Sequence, residues 1–304
     1  MREILILILF SLSCRLSAAH TFNSADSDCS EYNLEVGIEL GYLPTERKQQ
    51  GSGWCYAFVA ADLLSHKLRT PISAVDIAVN YINRGHLTGT QMNINGQAEN
   101  IYPLGGGLVD AALLSLNGRG VCLESDLTFQ ISPKRQPAEN LSHHFNSEQW
   151  LHIKSRLQEV YRDPTSQKFS RALMSLATQK KCTPTFKEIN FSVMTKTRQN
   201  QAEPFVFEKA LNAALTRHRM IAIEYNSAAL SHTTSAVWTQ ADHASALIGR
   251  RFNKEKKRCE YLLRNNEKSC AEYSKDFECI SSYNHLWVPR EVLLRSVSSF
   301  TYLN

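Results

Sequence analysis

The chain has 304 residues, 43% of them apolar, enough to bury a full core or to build two lobes around one cleft. Its formal net charge of +5 is mild and spread along the sequence. No basic stretch carries interleaved aromatics, so the expected partners do not include nucleic acid.

Arg2 precedes an apolar run, Ile4 to Leu12, that is too short to span a bilayer. Small residues follow, ending in Ser17-Ala18-Ala19. This order is that of a secretory signal over residues 1–19, with cleavage expected near Ala19. Lipid attachment at Cys14 is the weaker alternative, because Ser11 and Arg15 suit it poorly. No other segment reaches the ~18 apolar residues of a membrane span. The mature chain is expected to be exported, secreted or periplasmic, and monomeric.

Cysteine usage fits an oxidising compartment. Of eight cysteines, Cys14 leaves with the signal. Setting Cys55 aside as a free thiol leaves Cys29, Cys122, Cys182, Cys259, Cys270 and Cys279, an even set that suggests disulfides. Cys270 and Cys279 are close enough in sequence to clip a local loop. No Cys/His spacing resembles a zinc site, and no metal or cofactor is expected.

Residues 20–45 form an N-terminal arm in which Leu34 to Leu40 alternates like a strand. Gln49-Gln50-Gly51-Ser52-Gly53-Trp54-Cys55 is a glycine-broken loop that runs into an apolar helix over 55–68. That puts Cys55 in a helical first turn, where unpaired N–H groups and the dipole favour a thiolate. Thr70-Pro71 ends the helix, and a second one follows to Asn83. Residues 85–107 read as loop, ending in Gly105-Gly106-Gly107 before a helical run, Leu108 to Leu116. Residues 130–205, with helical periodicity at 147–161 and 165–180, read as an insertion.

The character then changes. A helix over 205–218 precedes a strand at 220–225, and further strands are expected at 236–238, 244–251, 258–264 and 285–288. Helices gather in 46–205 and strands in 206–304, which argues for an α+β fold whose two halves face each other. His243 stands where a small-residue loop enters an apolar strand. Asn265 stands at the end of the next strand, able to orient an imidazole.

Each of these has a plainer reading. Cys55 alone suits a disulfide or buried cysteine, His243 a strand end and Asn265-Asn266 a turn. Gln50 competes with Gln49, and the glycines serve equally as a flexible helix entry. Asp242, Trp54 and Tyr56 read as structural.

Taken in order, four segments resemble the papain-like cysteine peptidases (C1-type, clan CA). Gln49 lies six residues before Cys55, Gly53-Trp54-Cys55-Tyr56-Ala57-Phe58 resembles the nucleophile segment, and Gly106-Gly107 resembles the substrate-pairing glycines. Asp242-His243-Ala244 and Leu263-Arg264-Asn265 resemble the segments of the catalytic histidine and asparagine.

The resemblance implies a two-lobe fold, a helical lobe and an antiparallel β-barrel-like lobe with the active-site cleft between. It implies Cys55 as nucleophile, His243 as its proton-transfer partner and Asn265 as the orienting group. Gln49 and the Cys55 N–H would bind the oxyanion, and Gly106 and Gly107 would bind protein or peptide substrates.

The departures are Ser52 in place of a cysteine, Trp54 and Tyr56 flanking Cys55, and Asn266-Glu267 where the family has Ser-Trp. Without that tryptophan, the His–Asn hydrogen bond is expected to be wetter and weaker. The Cys55–His243 interval exceeds the roughly 130–150 residues usual in the family, and the surplus fits the insertion. No long pro-segment fits between the cleavage site and Cys55. Two other functions remain open: acyl transfer to an amine through the same thioester, as in transglutaminase-like enzymes, and a secreted binding module with a decayed site.

Overall fold

The structure, a computed structural model, describes residues 29, 32–33, 42–43, 47, 54–83, 90–92, 98–100, 107–118, 120–127, 184–186, 191–198, 204–218, 220–231, 241–266, 270–280 and 285–304. The signal expected over residues 1–19, Gln49, Gly106, most of the insertion expected at 130–205 and the strands expected at 34–40 and 236–238 lie outside them.

Helix α1 is Cys55–Leu68. Its sequence lacks Gly and Pro, and every residue from Cys55 to Ser65 is buried, as befits a helix apolar on all sides. It stops at Arg69, which takes a left-handed φ of 53° and turns its N–H back to the Ser65 carbonyl. Helix α2 (Ala74–Asn83) starts where Ser73 Oγ accepts the Asp76 N–H at 3.1 Å. Helix α3 is the short Val109–Leu114, α4 is Pro204–His218 and α5 is Arg290–Ser296.

The strands are β1 (Tyr32–Asn33), β2 (Thr90–Met92), β3 (Ala98–Asn100), β4 (Val193–Thr197), β5 (Ile221–Tyr225), β6 (His243–Asn253), β7 (Arg258–Arg264), β8 (Glu278–Ile280), β9 (His285–Pro289) and β10 (Val297–Leu303). The main sheet is antiparallel in the order β4-β10-β5-β6-β7-β9-β8, with β1 beside β6. The fold is α+β. The described strands do not close into the barrel expected from the resemblance, because β4 and β8 end the path without pairing to each other. The 85–107 stretch, expected as loop, includes the antiparallel pair β2–β3.

Alternation along the central strands builds two cores. Ala222, Ala244, Ala246, Ile248, Leu262 and Trp287 face α1, α2 and α3. Ile223, Tyr225, Leu247, Leu263, Leu286 and Val288 face α4 and α5. Small residues meet where α1 lies on the sheet: Ala57, Ala60 and Ala61 join Ala222, Ala244 and Ala246 in one core. Short side chains on both sides let the helix approach closely.

Charge crosses the same joint. Asp62, on the face of α1 two turns after Cys55, is fully buried and accepts from Arg264 Nε at 2.8 Å. Arg47 Nε stands 3.4 Å from the other carboxylate oxygen, close enough to pair in charge but out of hydrogen-bond geometry. Its Nη2 donates to the Ile72 carbonyl at 2.5 Å. Two disulfides add covalent ties: Cys29–Cys259 holds the arm to β7 and Cys270–Cys279 closes a local loop, with Cα separations of 5.9 and 5.6 Å. Cys122 is disulfide-bonded as well. No helix among the described residues is long and apolar enough to cross a membrane.

Asp62→Ala takes the carboxylate from the buried Arg264 guanidinium and leaves Arg47 with Glu124, whose Oε2 lies 3.5 Å from its Nη2. It should cost about 3–5 kcal/mol, the scale for breaking one side of a buried pair, and urea unfolding checks it.

Candidate active site

Cys55 is the first residue of α1 and 8% exposed. It is the one described cysteine outside a disulfide. Trp54, at the cap position, makes no side-chain hydrogen bond to the first turn, so no cap side chain competes for its N–H groups. The Trp54 carbonyl accepts from Ala57 and Phe58 at 2.9 and 3.1 Å. Trp54 and Tyr56 are fully buried, so both pack as the sequence suggests.

His243 opens β6, the strand against which α1 packs. Its entry is fixed by Asp242, whose carboxylate accepts from the Ser227 N–H at 2.7 Å and from Ser227 Oγ at 3.1 Å. Asn265 follows the last residue of β7. Ala246 pairs with Arg264, so one further step sets Asn265 level with Ser245, on the face that His243 and Ser245 share.

There His243 Nε2 and Asn265 Oδ1 lie 2.8 Å apart. Ser245 Oγ donates to the same Oδ1 at 3.3 Å, and Tyr225 Oη lies 2.9 Å from Ser245 Oγ. Asn265 Nδ2 donates to Tyr273 Oη at 2.8 Å. An amide oxygen accepts, so the Nε2 facing it carries the hydrogen. That leaves Nδ1 as the basic nitrogen of the neutral ring.

The bond is also dry. His243 is 6% exposed and Asn265 1%. The expectation of a wet, weak His–Asn bond is therefore overturned: Tyr225, Ser245 and Tyr273 enclose it without a tryptophan after Asn265. Sequence reasoning missed these three. Ser245 and Tyr225 had a signal, since period-2 spacing puts Ser245 on the face of His243; Tyr273 had none.

Gly107 is the described part of the glycine segment. A Cβ there would come within 2.9 Å of the Tyr56 ring, so the backbone lies directly on that ring. Tyr56 Oη is buried without a hydrogen-bond partner, and burial pushes its pKa well up. Just after the glycine, the Val109 N–H donates to Glu224 Oε1 at 3.1 Å, and Ser299 Oγ donates to Oε2 at 2.6 Å. Glu224 thus pins the glycine segment to the sheet. Burial holds its carboxyl above the ordinary 4.5, against the lowering effect of those two hydrogen bonds. No group of three or more His, Cys, Asp or Glu among the described residues is arranged to hold a metal ion.

No protein-family model and no curated protein matches the chain. Solved structures do. Digestive procathepsin L 3 from the Tenebrio molitor larval midgut is 12% identical, with a TM-score of 0.44, over 92% of this chain and 71% of that one. Digestive procathepsin L2 proteinase from the same midgut is 8% identical, with a TM-score of 0.48, over 90% and 67%. The proform of the ragweed pollen allergen Amb a 11, a cysteine protease, is 12% identical, with a TM-score of 0.46, over 90% of this chain and 64% of that one.

Gly107→Ala forces a methyl group into a ring that is itself buried and should cost about 1–3 kcal/mol of overpacking, read by urea unfolding. Glu224 also gives a pH signature. Its pKa is raised in the folded chain, so the stability it lends is complete below the unfolded value and is lost as pH rises through the folded one. Stability of Glu224→Gln relative to wild type should therefore improve from about pH 4 to pH 7, measured by denaturant midpoints at each pH.

Proposed function

We propose that the protein is a cysteine peptidase that hydrolyses peptide bonds through a thioester on Cys55. The observation that carries this reading is the buried 2.8 Å contact between His243 Nε2 and Asn265 Oδ1, on the strand packed against the helix that Cys55 opens. The two elements are also tied to each other: Asp62 of the helix that Cys55 opens pairs with Arg264, which stands opposite Ala246 of the strand that His243 opens.

The chemistry follows from the roles. The Cys55 thiolate attacks the scissile carbonyl carbon, and the oxyanion forms beside the Cys55 N–H, with Gln49 as the second donor. The His243 imidazolium passes its Nδ1 proton to the leaving amine, and the C–N bond breaks to leave the thioester. Neutral His243 then takes a proton from water through Nδ1 as the water attacks, and the acid product leaves with Cys55 restored. Asn265 holds the ring by accepting from Nε2. Gly106 and Gly107 offer backbone groups to an extended peptide.

The exported location expected from residues 1–19 suits an enzyme with disulfides. Treating the mature protein with a thiol-directed epoxide should block peptide hydrolysis and place one adduct on Cys55, mapped by peptide mass spectrometry. Cys55→Ala should abolish turnover. An adduct elsewhere, or hydrolysis that survives Cys55→Ala, rules the reading out.

A further inference from the structure

Asn265 orients His243, but an amide does not orient itself. Turned over about its last bond, it fills the same space and offers a donor where it offered an acceptor. Three neighbours bear on the choice. Ser245 Oγ donates to Oδ1 at 3.3 Å, Tyr225 Oη lies 2.9 Å from Ser245 Oγ, and Tyr273 Oη takes an Nδ2 hydrogen at 2.8 Å. The hydroxyls turn freely and can donate or accept, but an Nε2 that carries its hydrogen needs Oδ1, and a turned amide would set Nδ2 against that hydrogen. With Oδ1 toward His243, Tyr273 is the acceptor for Nδ2; without the phenol oxygen the amide finds partners for its N–H groups only by turning toward Ser245 and a bare Nε2.

Tyr273 is the member brought in from farthest outside the two strands. Its segment is clipped by Cys270–Cys279 and held by the Ser274 N–H, which donates to the Leu230 carbonyl at 2.9 Å. Tyr273 and Phe277 are 7% exposed and belong to the same core as Tyr225 and Leu263. The phenol is therefore anchored by both a covalent clip and its own ring.

We propose that Tyr273 is a positioning residue for the candidate catalytic pair: its hydroxyl fixes the Asn265 amide with Oδ1 toward His243 and so sets which nitrogen of His243 is the base. This rests on the peptidase reading of Cys55, His243 and Asn265. With the hydroxyl in place, neutral His243 keeps its hydrogen on Nε2 and presents a bare Nδ1. Without it, the amide turns over in part of the molecules. The ring hydrogen then moves to Nδ1, where the imidazole cannot take up a proton from sulfur or water.

Tyr273→Phe keeps the ring in its core and removes only the oxygen. The full chain with 15N-labelled histidine, carrying Cys55→Ala, gives the tautomer of His243 by NMR, the signal being assigned against the same protein with His243→Gln. Cys55→Ala alone should show the Nε2–H form, and adding Tyr273→Phe should bring in the Nδ1–H form. In the protein with Cys55 intact, Tyr273→Phe should lower kcat roughly tenfold with KM unchanged, the scale of one buried hydrogen bond felt in the barrier. An unchanged tautomer overturns the proposal, as does an unchanged kcat or a loss confined to KM in an active enzyme. If wild type hydrolyses no peptide, the peptidase reading falls instead, and the tautomer alone decides the role of Tyr273.

Discussion

The buried pairing of Asp62 with Arg264 is the contact on which the arrangement turns. It joins residues 202 apart in sequence, one on the helix that Cys55 opens and one on the strand that ends at Asn265. Apolar packing between α1 and the sheet is strong but non-directional, and alanines on both sides would let the helix slide or rotate at small cost. A charge pair in a dry joint does not slide: displacement leaves a carboxylate or a guanidinium buried alone. Buried pairs are weak evidence for net stability, since apolar replacements often do as well. What this one contributes is a register between two elements that bring different chemical groups.

The sheet divides labour between its faces. Toward α1, α2 and α3 it presents mostly apolar residues, with Arg264, His285 and Glu224 among the polar exceptions. These three are engaged: Arg264 with Asp62, His285 at 3.5 Å from Arg264, and Glu224 with the glycine segment and Ser299. On the opposite face, at one end, sit His243, Ser245, Tyr225, Asn265 and Tyr273. Helix docking and the hydrogen-bond network are thus built on opposite sides of the same strands and can each be tight without competing for space.

Much of this was legible in order along the chain. The runs that became α1, β6 and β7 carry strong patterns, and their observed limits fall within two or three residues of those expected. Cys55 at a helix start, and His243 and Asn265 at strand ends, were legible because local context places them. What stayed hidden depends on distant contacts. Asp62 is the one acidic residue of an otherwise largely apolar helix, and nothing near it in sequence names Arg264. Tyr273 sits in a polar, turn-rich segment, and only the path of the loop from β7 to β8 brings its hydroxyl to Asn265. The barrel was misread for a related reason: closure depends on whether edge strands pair, which strand patterns do not encode. The dryness of the His–Asn bond was misjudged because one adjacent tryptophan was taken as the means of covering it, whereas a core phenol from another loop does so.

Arg264 and Asn265 are neighbours, and period-2 alternation sends their side chains to opposite faces. Arg264 reaches α1 through Asp62, while Asn265 reaches His243. A shift of this dipeptide by one residue would exchange the faces, burying an amide against the helix and a guanidinium among Tyr225, Ser245 and Tyr273. The ladder with β6 prevents it, pairing Arg264 with Ala246 and leaving Asn265 level with Ser245. The position of the imidazole and the docking of the thiol-bearing helix are therefore not two independent achievements. Both are read out from the register of one strand, and a change that disturbs that register should be felt at both ends of the site together.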